Sequence, residues 1–542
     1  MITIKVQCPC GQKYAFEINP ADALIDHSVR CPVCALDGTA AARELMAESS
    51  GSAVSQKLGL RPNEFSQSAQ PPSLEARSGS TQTQPDRDLP KAMKCLIPII
   101  ASATIALGVV GASVRAMHGQ KRTVQSSSTS VEEGFPQTLA QVQASYLEPE
   151  SGQNGATYYQ QGLDTLQLRN LSLSDIPILG KLEVPEPLAP LPGSMRSGIG
   201  ALLRSNQDAI RHFGRGAKFD RSRYAVDLSR GCDTLYPHLA QLKSAFVILE
   251  LAALFHADAH NSTQVAEDIE VDLALADSLK AEPAILSQVV RTMGVSRAMM
   301  ALEQSLNRTE LPSEALVRLA TCLHRMEESC TRGDGFNMAL AAARVGSLAL
   351  LAEPEKILES LHTPGLKVSP KDVEELSRRL AMQSRFAPEI EFYDRAARRI
   401  LSARKSNFPN RLQSDLVAQE EMALARSKHL TALELVLPEL LGRTTQEAEC
   451  LTELRLGATA VALERYRQAH DGRYPDAVTA LVPEYLPIIP VDPFHSQILV
   501  YEKKGDGYAL HSTAPRSDTE RHGSLRLGRF ILTVRSPLKR GP

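Results

Sequence analysis

The sequence predicts a mainly α protein divided by a membrane. It holds a small cysteine-clamped N-terminal module, one transmembrane helix, a large helical bundle or irregular α-solenoid, and a small α+β domain near the C-terminal end. Three observations predict this. Cys8, Cys10, Cys31 and Cys34 place four of the nine cysteines within the first 34 residues. Residues 95–114 carry no charge. From 196 to 445 apolar residues recur at spacings of three and four, the pattern of helices with one apolar face.

A chain of 542 residues is too long for one core and is expected to form about three or four folded units. The 60 basic and 62 acidic residues nearly cancel, so no bulk charge draws the chain to nucleic acid or anionic lipid. Aromatics make up 5% and Trp is absent, which argues against base-stacking platforms and sugar clefts. Nucleic acid is therefore not an expected partner. The first six residues alternate and run into cysteines without an apolar h-region, so no secretory signal is expected there.

Residues 1–40 form the first unit. Cys8-Pro9-Cys10-Gly11 and Cys31-Pro32-Val33-Cys34 each put two thiols on a short loop. Four thiolates close a tetrahedron around Zn²⁺, and the metal supplies free energy that so small a core lacks. Lys13 to Ile18 alternates like a strand. The arrangement resembles a zinc ribbon, with one residue instead of the usual two inside the first pair. The resemblance implies structural zinc on Cys8, Cys10, Cys31 and Cys34. A redox dithiol, a metal-free fold and His27 as a substitute ligand are the alternatives. Few basic residues accompany the cysteines, so the module reads as a structural or protein-binding knot.

Residues 41–93 are rich in Ser, Gln, Pro and Gly and read as a flexible tether. The transmembrane helix is expected over 94–115. Its uncharged core, CLIPIIASATIALGVVGASV, spans about 30 Å at ~1.5 Å per residue, the thickness of a bilayer's hydrocarbon. Lys91 and Lys94 flank one end, Arg115, Lys121 and Arg122 the other. Gly108 and Ala112 form a small-xxx-small pair, a weak sign of a helix-pairing face. The basic flanks are almost balanced, so orientation is taken from the cysteines. Thiolate ligands persist in a reducing compartment, which places the N-terminus in the cytoplasm and the residues beyond 115 in the periplasm of a bacterial inner membrane.

Residues 116–195 are expected to be extended, with Pro177, Pro185, Pro187, Pro190 and Pro192 making a strap. The helical domain follows over 196–445. Leu239, Leu242, Phe246, Leu249 and Ala253 mark one helix face, as do Val265, Ile269, Leu273 and Ala276, and Leu316, Leu319, Leu323 and Met326. Breakers such as Asn261-Ser262, Pro283, Pro312 and Gly333-Asp334-Gly335 fall between them. Arg344 with Glu353 and Glu355, and the Arg378-Arg379 and Arg398-Arg399 pairs, read as solvated faces. Cys322 and Cys330 read as two separate buried thiols.

The chain changes character over 446–520. A helix reaches Tyr466, then come Gly472-Arg473-Tyr474-Pro475, a short segment to Leu481, Asp492-Pro493, and a hairpin turning at Lys504-Gly505-Asp506-Gly507. Arg529 to Val534 reads as a third strand. With Tyr501, Tyr508 and Ser512, this ordered set resembles the globular part of type II secretion major pseudopilins. The resemblance covers some 60 residues and implies a helix followed by a small antiparallel sheet. Polymerisation is not expected, because the helix is amphipathic and hundreds of residues precede it. Calcium is not expected either, since Asp518 and Glu520 sit beside Arg516 and Arg521. Residues 521–542 read as a tail.

The function expected is a binding or scaffold component of the envelope, with protein partners there and the bilayer engaged through residues 95–114. The terminal resemblance implies a link to secretion or surface assembly. One alternative is an enzyme with a site between helices, drawing on His256, Asp258, His260, Glu327 or Glu328. Another is a membrane-tethered regulator using the ribbon. His256-Ala257-Asp258-Ala259-His260 lacks the Glu of a zincin and abuts a helix stop, so it reads as a solvated helix end. No phosphate loop, dinucleotide fingerprint or nucleophile elbow is found.

Overall fold

A computed structural model describes residues 2–7, 13–18, 134–167, 176–180, 182–353, 356, 374, 377–378, 387–430, 432–515 and 529–535. The chain divides into two units, Met1–Arg87 and Asp88–Pro542. In the first, β1 (Ile2–Gln7) pairs antiparallel with β2 (Lys13–Ile18), from Ile2 opposite Ile18 to Gln7 opposite Lys13. Cys8, Cys10, Cys31 and Cys34, the tether and the uncharged run 95–114 lie outside the described residues.

The second unit is mainly helical. Two helices occur where an extended chain is expected. Thr138 caps α1 (Leu139–Ser145) by accepting from Gln141 N, and Asn154 caps α2 (Gly155–Asp164) by accepting from Ala156 N. Val142 and Tyr146, like Tyr159 and Leu163, are four apart and share a face, and all four enter the main core. Each helix has only one such pair, too short a signal to stand out among Ser, Gln and Gly. Residues 182–192 do form neither helix nor strand, and Leu191 is buried against α3 (Gly193–Ser205). The next helix, α4 (Gln207–Gly216), lies against α2 through glycines. A Cβ on Gly162 would fall 2.4 Å from the Phe213 ring, and one on Gly216 would fall 2.6 Å from Tyr159.

The main core is built from α5 (Pro237–Asp258), α6 (Ser262–Asp277), α7 (Ile285–Arg308) and α8 (Ser313–Arg332). The three periodic runs that predict helices α5, α6 and α8 are at most 3% exposed at every position. By length and composition α5 would suffice to cross a membrane. It is instead enclosed by α3, α6 and α7, and its Glu250 and Asp258 are engaged by Arg297 and Arg196. It serves as the central helix of the bundle. Gly333, at φ 74°, ends α8 in the left-handed conformation and at once begins α9 (Asp334–Leu351).

A second core joins α9 to α10 (Ala387–Ala403) and α11 (Gln413–Ser427) through Leu340, Tyr393, Ile400 and Met422. The long helix α12 (Arg443–Ala469) packs on α7 and α8, and residue 446, where the sequence predicts a new domain, falls inside it. No side chain of α12 caps its own start. Asp415 of α11 does so instead, accepting from Thr444 N at 3.2 Å and Thr445 N at 2.7 Å. Three antiparallel strands in the order β3 (Val500–Lys504), β4 (Gly507–Pro515), β5 (Arg529–Val534) then cover α12. Gly505 at φ 59° turns the first hairpin. The outer edge of β5 is closed by α7 side chains. Asn307 donates to Thr533 O and accepts from Arg535 N, both at 2.7 Å, and Glu303 accepts from Thr533 N at 2.9 Å.

Polar residues fasten the helices to one another. The Arg404 side chain, 0% exposed, donates to Asn337 Oδ1 of α9 at 2.7 Å, and to Thr444 Oγ1 and Glu447 Oε2 of α12 at 2.6 and 2.8 Å. Arg344 corrects the expectation of a solvated face. Its side chain is 5% exposed and pairs with Asp394 of α10 at 2.5 Å, with Gln137 at 3.0 Å. Charges spaced along one helix do not disclose that a second helix will cover them. Arg398 also pairs with Asp394, whereas Arg399 reaches Glu421 with half of its side chain still exposed, as a solvated face would leave it. Glu447→Gln leaves the Arg404 charge buried with weakened compensation, and should lower the unfolding free energy measured in urea by about 3–5 kcal/mol. Replacing Arg404 and Glu447 together by Met should cost much less than that.

Candidate functional site

One cavity of about 60 Å³ opens where α1, α9 and the loop before α5 meet. Leu139, Val142, Cys232, Tyr236, Gly346 and Glu439 are among its walls. The loop reaches it through a tight turn over Leu228–Asp233, in which Gly231 adopts φ 59° and ψ −124°. Cys232 packs against α9 at Gly346, where a Cβ would sit in ordinary contact, 3.6 Å from Sγ. The volume admits a few waters, against the ~300–1,000 Å³ of small-molecule pockets. Burial, reinforced by Glu439, pushes the Cys232 thiol up to about 12, so it stays protonated at neutral pH and is not a nucleophile. Burial also raises the Glu439 carboxyl, against the opposing pull of Arg443.

Behind this cavity lies a closed polar cluster. Glu282, fully buried, accepts from Tyr146 Oη at 3.0 Å and Ser287 Oγ at 2.5 Å, and lies 3.2 Å from His238 Nε2. The Tyr224 ring stacks on His238 at 4.2 Å, and its backbone N donates to Tyr146 Oη. Burial first, then Glu282, drives the Tyr146 phenol far above its ordinary value. These groups satisfy one another and fix α1, the loop and α5 in place. Nothing in the sequence singles out Glu282. A carboxylate next to Pro283 in a helix-breaking stretch reads as a solvated turn.

The residues weighed for catalysis do not converge. His256 Nδ1 lies 2.6 Å from Asp268 Oδ2 of α6. Asp258, two residues on, accepts from Leu191 N at 2.8 Å and pairs with Arg196, so it holds the strap. His260 is exposed just past the end of α5, at φ 56°. Glu327 pairs with Arg455 at 2.8 Å, and Glu328 lies 3.5 Å from His324. Among the described residues no group of three or more His, Cys, Asp and Glu is arranged to hold a metal. Cys330 shares the α8–α12 interface with Cys450, a partner sequence spacing does not suggest, and both are free, buried thiols.

Near the C-terminus the ordered set of Tyr, Asp and Ser comes together. Tyr474 packs edge-on to Tyr508 at 4.9 Å and donates to Glu464 Oε1 at 2.6 Å. Tyr501 Oη donates to Pro475 O at 2.8 Å. Asp492 accepts from Phe494 N at 2.8 Å and from Ser512 Oγ at 2.5 Å, which locks the Asp-Pro turn to β4. Glu464 belongs to no motif of the sequence. Its signal is a carboxylate three residues beyond Val461, on the apolar stripe of α12. Comparison with known protein families, characterised proteins and solved structures finds no match.

One carboxyl group stands apart. Asp272 of α6 is 1% exposed, and neither side-chain oxygen has a hydrogen-bond partner. Burial, then the nearby Glu250, raises its pKa well above the ordinary 3.8, while Arg297 opposes. Asp272 is therefore protonated in the fold and ionised in the unfolded chain across the interval between the two values. Its favourable contribution is complete below 3.8 and is lost as pH rises toward the folded value. Over that interval the wild-type chain should lose about 1.4 kcal/mol of stability per pH unit through this group. Asp272→Asn should remove the slope and raise the melting temperature at pH 7–8, as read by calorimetry from pH 4 to 8.

Proposed function

We propose that this chain is a single-pass inner-membrane protein of a bacterial envelope that works by binding other proteins. The observation that carries the reading is the uncharged run 95–114, which is long enough for a bilayer and flanked by Lys91, Lys94, Arg115, Lys121 and Arg122. The N-terminal unit lies in the cytoplasm and the helical unit in the periplasm. The way the helical unit uses its polar groups supports binding over catalysis. Glu282, Asp258, Glu327 and Arg404 are each bound to structural partners rather than gathered around a shared space. Packed helices offer area for contact without chemistry. The likeness of the terminal segment to pseudopilins adds the link to secretion or surface assembly.

Zinc on Cys8, Cys10, Cys31 and Cys34 belongs to the same proposal. In the sequence Cys8 and Cys10 follow β1 and precede β2. Two pairs of thiolates supply the four ligands of a tetrahedral site.

After lysis without detergent the full-length chain should sediment with membranes and resist alkaline carbonate, while deletion of 95–114 should release it. Recovery of the intact chain in the soluble fraction would overturn the placement. Metal analysis of the purified protein should find about one zinc per chain, as a single four-cysteine site requires. Replacing the four cysteines by Ser should abolish it.

A further inference from the structure

We propose that Cys330 and Cys450 are a disulfide pair that closes as the helical unit folds in an oxidising compartment, joining α8 to α12. The two helices pack against each other, and both sulfurs lie in the main core, with the residues 6% and 1% exposed. Glu327 of α8 pairs with Arg455 of α12 at 2.8 Å, and a Cβ on Gly333 would fall 3.0 Å from Glu447 Oε1, so the antiparallel register between these points sets Cys330 opposite Cys450. Cys322 is excluded as a partner. It sits on α8 with Cys330, and eight residues of helix separate the two by about 12 Å, beyond the reach of a disulfide. Cys232 lies apart, at the cavity wall.

The surroundings favour the chemistry. Arg291 of α7 is buried beside the pair, held by Asp277 Oδ1 at 3.0 Å and Ser329 Oγ at 3.2 Å, and its Nε has no partner. The adjacent Cys450 thiol lowers the Cys330 pKa, burial opposes it, and the Arg291 charge lowers it further. With glutathione disulfide as oxidant, the Cys330 thiolate attacks one glutathione sulfur and releases a glutathione thiolate. Cys450 then loses its proton and its thiolate attacks the Cys330 sulfur, releasing the second glutathione. Two protein thiols are oxidised and one disulfide is reduced to two thiols.

That the bridge forms in the cell rests on the periplasmic placement proposed above; that these two sulfurs join each other does not. Two measurements separate the claims. The purified full-length protein, reduced and then refolded with glutathione disulfide, should yield a peptide linking Cys330 to Cys450, about 2 Da lighter than the two thiols. Cys232 and Cys322 should remain open to alkylation. The bridged form should melt several degrees above the reduced form, and Cys450→Ser should abolish both the link and the difference. Free thiols at both positions, or any other pairing, would overturn the pair. Acid-trapped cells should contain the same linked peptide; a bridge that forms in vitro and is absent in cells would overturn the placement and leave the pair standing.

Discussion

The Arg404 guanidinium has no access to water. It follows directly on α10, and its donors are taken up by Asn337 of α9 and by Thr444 and Glu447 of α12. Glu447 also lies 3.6 Å from Arg411. Ser414 of α11 hydrogen-bonds Thr444, and Asp415 caps the start of α12. Four helices therefore meet around one charge that cannot be left uncompensated. A buried ion pair contributes little beyond what a well-packed apolar pair would, but removal of one partner is severe. The arrangement thus constrains relative position more than it adds stability. The second core can close only with α9, α10, α11 and α12 in this register.

The same economy recurs throughout the helical unit. Asp258 holds the strap by Leu191 N, and Arg308 points its guanidinium at the carbonyls of Pro185, Glu186 and Ala189 from 3.3–3.4 Å. Glu282 gathers Tyr146, Ser287 and His238. Asp272 differs from these, a carboxyl with no hydrogen-bond partner that burial keeps neutral. Besides the polar groups that join helices, Asp258, Arg308 and Glu282 bind segments with no regular secondary structure to helices. That is the work apolar contacts perform poorly, because such segments carry backbone donors and acceptors that need partners.

What could be read from the sequence follows from the range of the signal. Leu239 to Ala253 and Leu316 to Met326 repeat over several turns, so their buried faces are visible in advance. The Lys504-Gly505-Asp506-Gly507 turn announces its hairpin, because glycine supplies a backbone angle few other residues reach. The α1 and α2 helices escape, since one pair of apolar residues each is too little periodicity. Arg344 escapes because its burial depends on Asp394 and Gln137, neither of them near it in sequence. Glu282 and the Cys330–Cys450 contact fail for the same reason. Local pattern shows which face of a helix is apolar but not which distant polar group will be set against it.

The closed edge of β5 bears on self-association. Asn307 and Glu303 offer that strand the donors and acceptor that a neighbouring backbone would offer, and they do so from a helix that cannot slide along it. On the opposite side, β3 carries Glu502, Lys503 and Lys504, charges that discourage an incoming chain. With one flank occupied and the other electrostatically guarded, this three-stranded sheet offers an incoming copy no unguarded edge at which to anneal.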